Sequence, residues 1–86
     1  METNENKFNV SVYPNPSNSG FRIVVNSQTS EVIKVRILDI NGAVRINELI
    51  NAKTNSLSIG SNLNAGTYLA EIIQGKNRVI TKLVKL

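Results

Sequence analysis

Apolar residues recur at every second position along most of this chain, a period that excludes a helical bundle and demands strands. Phe8, Val10 and Val12 alternate with Asn9, Ser11 and Tyr13, and Ile33, Val35 and Ile37 alternate with Lys34 and Arg36. Successive side chains of a strand point to opposite faces, so each such segment offers one face to a core. Phe21, Ile23 and Val25 form another, followed later by Val44 and Ile46, Leu57 and Ile59, Tyr68, Ala70 and Ile72, and a last run from Val79 to Leu86. About seven strands at this regular spacing predict an all-β fold, a sandwich or a barrel.

The separators carry the turn chemistry that such a fold needs. Pro14 and Pro16 cannot donate to a ladder and hold Tyr13 and Asn15 extended, so residues 13–20 end one strand and release the next. Asn41-Gly42, between Ile37 and Val44, predicts a hairpin with a type I′ turn, which requires positive φ at both residues. Gly75-Lys76-Asn77 predicts a tight link into the last strand, and no long loop remains that could serve as an active-site lid.

Composition then removes most chemistry. The 86 residues make one domain with a core of Ile, Val and Leu, and its stability is expected to be about 4–13 kcal/mol. Cysteine and histidine are both absent, which takes away disulfides, thiolate nucleophiles, imidazole bases and nearly every transition-metal site. No catalytic residue, cofactor or metal site is therefore expected. The net charge of +4 comes from Lys and Arg scattered without a run, and aromatics make up only 5% of the chain, so no nucleic-acid surface is expected. No apolar stretch approaches the roughly 20 residues of a membrane-spanning helix. Residues 1–7 lack the apolar centre of a signal peptide. They are expected to be a flexible lead-in or the remnant left where the domain, residues 8–86, was cut from a longer protein.

Two polar residues have definite structural expectations. The Asp39 side chain is placed to accept backbone N–H groups of the Asn41-Gly42 turn, an Asx-type bond. Residues 63–68, Leu63-Asn64-Ala65-Gly66-Thr67-Tyr68, resemble the tyrosine corner of immunoglobulin-like and fibronectin-like sandwiches, in which a Tyr hydroxyl bonds back to upstream backbone. The fold expected is thus an immunoglobulin-like antiparallel β-sandwich of about seven strands.

Three segments in this order resemble one family. They are Tyr13-Pro14-Asn15-Pro16 with Gly20-Phe21, then Asp39-Ile40-Asn41-Gly42, then residues 63–68 followed by the closing Lys82-Leu83-Val84-Lys85-Leu86. Together they resemble the type A C-terminal sorting domain of the type IX secretion system of Bacteroidota, over nearly the whole chain. Pro14, Asn15, Pro16 and Gly20 correspond to the family's early motif, Asp39 and Gly42 to its middle one, and Leu63, Gly66, Tyr68 and residues 82–86 to its late one. Ala43 departs from the basic or polar residue usual after the hairpin glycine.

The resemblance implies a non-catalytic domain fused behind an N-terminal cargo. The cargo is exported through the periplasm to the cell surface or beyond, engaging the outer-membrane type IX translocon or its shuttle protein. A sortase-like cysteine protease commonly removes the domain afterwards. Lys82, Leu83, Val84, Lys85 and Leu86 are the candidate residues for recognition by the translocon. Val79, Thr81 and Leu83 would face one side of this strand and Ile80, Lys82, Val84 and Leu86 the other, leaving a free edge guarded by Lys82 and Lys85 that a partner can complete. The alternative is a β-sandwich binding, adhesin or stalk module, and a glycan-binding version would need exposed aromatics beyond Phe8, Tyr13, Phe21 and Tyr68.

Overall fold

The computed structural model describes residues 8–86; the expectation for residues 1–7 lies outside them. Every segment with a period of two forms a strand: β1 (Asn9–Tyr13), β2 (Phe21–Asn26), β3 (Ile33–Asp39), β4 (Val44–Ile50), β5 (Ser56–Ile59), β6 (Gly66–Gln74) and β7 (Asn77–Lys85). They pair antiparallel into a three-stranded sheet, ordered β1-β2-β5, and a four-stranded sheet, ordered β4-β3-β6-β7. The chain crosses between sheets after β2, β4 and β5, and the non-sequential pairing of β3 with β6 gives the Greek-key connection of immunoglobulin-like sandwiches.

The alternation decides what the two sheets bury. Phe21, Ile23 and Val25 of β2 meet Ile33, Val35 and Ile37 of β3 together with Ala70 and Ile72 of β6 and Leu83 of β7, all shielded from solvent. Val10, Val12 and Leu57 pack on this cluster from the edges of the smaller sheet. Branched aliphatic residues dominate, and truncating one such fully buried side chain to Ala costs about 2–5 kcal/mol.

The β3–β4 hairpin differs from its expected form. Gly42 has φ +83°, whereas Asn41 does not adopt positive φ. The Gly42 N–H donates to Asp39 O (2.9 Å) and the Asp39 N–H to Ala43 O (2.9 Å), so a type I turn is followed by a left-handed glycine. A three-residue loop of this kind needs one positive φ rather than two. The Asp39 side chain selects it, because its Oδ1 accepts from the N–H of Asn41 (2.9 Å) and of Ala43 (3.0 Å).

Candidate functional site

The alternation of β7 sorts the candidate recognition residues into two groups. Lys82 and Leu86 are exposed and Val84 is half-buried on the outer side, whereas Leu83 and Lys85 are buried on the inner side. Lys85 has the parity of Leu83, and its ammonium donates to the carbonyls of Gly60 (3.1 Å), Ser61 (3.2 Å) and Leu63 (2.7 Å). An ammonium has three N–H donors, so each has an acceptor. Lys85 thus ties the β5–β6 connection to the last strand and does not guard an edge.

The edge itself is partly occupied, which corrects the expectation of a strand guarded only by lysines. The Asn15 side-chain amide donates to Lys82 O (2.7 Å), and its Oδ1 accepts from the Val84 N–H (3.0 Å). The Ser17 N–H donates to Val84 O (3.0 Å) and the Leu86 N–H to Ser17 O (2.8 Å), in a parallel bridge between Ser17 and Lys85. An amide side chain carries one donor group and one acceptor, as a peptide unit does, so Asn15 stands in for a neighbouring strand. Pro14 and Pro16 flank it, each preceded by a cis peptide bond. Ser17 is buried, with its hydroxyl donating to Gly20 O (2.6 Å) and accepting from the Ser19 N–H (3.1 Å). Gly20 lies against the end of β5, where a Cβ would stand 3.1 Å from Ile59 O and 3.3 Å from Ser61 N and would push these backbone atoms back by a few tenths of an ångström.

The late motif meets the same end of the sandwich. The Tyr68 hydroxyl donates to Asn64 O (2.7 Å), the bond that pins a tyrosine corner. Leu63 packs on the core, and its carbonyl receives the shortest of the Lys85 bonds. Gly66 opens β6 opposite Lys85. The register also places Asp39 opposite Tyr68 and Tyr68 opposite Leu83, so the three motif segments converge on one end of the domain.

At the other end stands a residue with no counterpart among the sequence candidates. Gln74 is buried, its amide donating to Glu31 O (2.7 Å) while its carbonyl oxygen accepts from the Ser27 hydroxyl. It holds the β2–β3 connection, and its parity with Ala70 and Ile72 was the available signal. Of the four aromatics, Phe21 and Tyr68 are buried and Tyr13 is half-exposed.

On the outer face of the four-stranded sheet, Glu71 accepts from Arg78 Nε at 2.8 Å and from Arg36 Nε at 2.8 Å. Hydrogen bonds from Arg78 first and Arg36 second, opposed by burial, hold its carboxyl below the usual carboxylate range. Glu71 is buried between these two guanidinium partners. Among the described residues no group of three potential ligands could hold a metal ion.

The fold and this convergent end define an immunoglobulin-like sandwich whose last strand is locked against the segment between β1 and β2. Over residues 11–86 the chain matches the family described as the secretion system C-terminal sorting domain, and it belongs to that family. Membership makes it a C-terminal sorting signal for type IX secretion, addressed to the cell surface or the extracellular space. No curated protein and no solved structure matches the chain at a significant level.

Proposed function

We propose that the domain is a non-catalytic address, read at its last strand by the outer-membrane translocon or shuttle while the fused cargo is in the periplasm, and removed afterwards by a sortase-like cysteine protease. The observation that carries this reading is the division of residues 82–86 into an outward set, Lys82, Val84 and Leu86, and an inward set, Leu83 and Lys85. The outward set offers contact, and the inward set fixes where those contacts stand. Asn15, Pro14 and Pro16 serve the same end by holding the strand in place.

The test is a fusion of the domain to a periplasmic reporter. Leu86 is 67% exposed, so Leu86→Asp should shift stability by no more than about 0.5 kcal/mol. The expected result is a reporter retained in the periplasm with an unchanged melting temperature. Normal surface delivery by the folded variant would sink the reading.

A further inference from the structure

Adjoining the outward set of residues 82–86, and sharing Lys82 with it, β7 has a second feature, its unpaired backbone edge. Side chains and backbone groups of the even-numbered residues of β7 both point away from the protein interior and from β6. Beyond Lys82 O these backbone groups are held by Asn15 and Ser17. Before it, the outward N–H and C=O of Arg78 and Ile80 and the N–H of Lys82 have no backbone partner among the described residues. The Pro-Asn-Pro segment therefore leaves a window of defined length, open from Arg78 to Lys82.

The window is the best docking edge of the sandwich. β1 and β5 have five and four residues, and β4 carries charges of both signs along an irregular register. β7 has nine residues and presents Arg78, the exposed Ile80 and Lys82 at alternate positions. Arg78 gives its Nε to Glu71, but Arg36 shares that one carboxylate, so two guanidiniums face a single negative charge and the edge keeps an excess of positive charge. The pattern continues inward across the outer face, where Ile80 lies opposite Glu71 and Lys82 opposite the exposed Leu69. Directly opposed like charges destabilise strand pairs, and opposite charges stabilise them. Two copies of this edge paired antiparallel about Ile80 would set Arg78 against Lys82 twice. The cations that bar self-addition thus select their occupant.

We propose that the window accepts, by strand addition, an extended segment of a partner protein with an aliphatic residue flanked on the same face by two carboxylates. This rests on the reading of β7 as the recognised strand and deepens it, naming a contact that begins at Lys82 and runs back to Arg78 and the chemistry of what fills it. It is testable on the isolated chain without any secretion assay, so its outcome is independent of the reporter experiment.

The probe is a short capped peptide with glutamate, valine and glutamate on one face and threonine between them, titrated while backbone amides are followed by NMR. Binding should shift and protect the Ile80 and Lys82 amides. A control peptide with lysine for glutamate should bind about tenfold more weakly, since the two flanking charge contacts both turn from attraction to repulsion. Ile80→Pro should abolish binding while the domain stays folded, because the Ile80 N–H makes no bond to β6 and proline is tolerated on the open side of an edge. Lys82→Glu, at an exposed position, should narrow the preference between the two peptides, and Asn15→Ala should lengthen the window and tighten binding. Equal binding of both peptides, shifts confined to β1, β4 or β5, undiminished binding by a folded Ile80→Pro protein, or concentration-dependent pairing of β7 with itself would each overturn the proposal.

Discussion

The two ends of the sandwich are closed by the same device in different chemical currencies. At one end Gln74 reaches the carbonyl of Glu31 and the hydroxyl of Ser27 and so fixes the β2–β3 connection. At the other, Lys85 reaches three carbonyls of the β5–β6 connection. A neutral amide suffices where only a loop must be tied down. The charged end does more, because the strand that carries Lys85 also receives Asn15 and Ser17 on its edge and lies beside the Tyr68 corner. The motif residues accordingly gather at the charged end, and the outward residues 82–86 are presented by it.

Three measurements would break or sharpen this contrast. The largest effect is expected for Lys85→Met, which keeps an unbranched chain but strips three carbonyls of their donor. Denaturant unfolding should show a loss of about 2–4 kcal/mol, and hydrogen exchange at Val84 and Leu86 should accelerate as the strand loosens. A loss no larger than that of Gln74→Leu would remove the distinction between the ends. Gln74→Leu itself should cost about 1–3 kcal/mol, with faster exchange in residues 27–31 and none of the change spreading to Val84. The smallest effect is expected mid-sheet, at Glu71→Gln. The Glu71 carboxyl has a lowered folded pKa. Its contribution is therefore fully present above the ordinary carboxylate value of 4.5 and is lost as pH falls through the lower folded value. The melting temperatures of wild type and Glu71→Gln should differ at neutral pH and converge in acid. A gap that widens in acid would contradict the ion-paired geometry.

How far the sequence reveals these features depends on how local their causes are. Strand existence was legible throughout, because alternation is written within each segment. The Asp39 turn was legible in its donor and acceptor chemistry, but its type was not. Asn41-Gly42 permits a two-residue loop, and the side-chain bonds of Asp39 to Asn41 and Ala43 favour the three-residue one. Lys85 was misread because a charged residue near a chain end suggests solvent, although its parity with Leu83 already assigned it inward. The Asn15 contact was beyond reach of any local pattern, since its partners become neighbours only when both sheets are assembled.

That separation has a consequence for how the domain comes together. β6 and β7 are joined by a two-residue turn and can zip as a hairpin from local contacts alone. The Asn15 bonds to Lys82 and Val84 span 67 and 69 residues. They carry nearly the greatest closure entropy the chain can incur and so belong among the later contacts to form. A seated Asn15 is thus a record of completed assembly: the last strand acquires its finished edge only after the beginning of the domain has found its end.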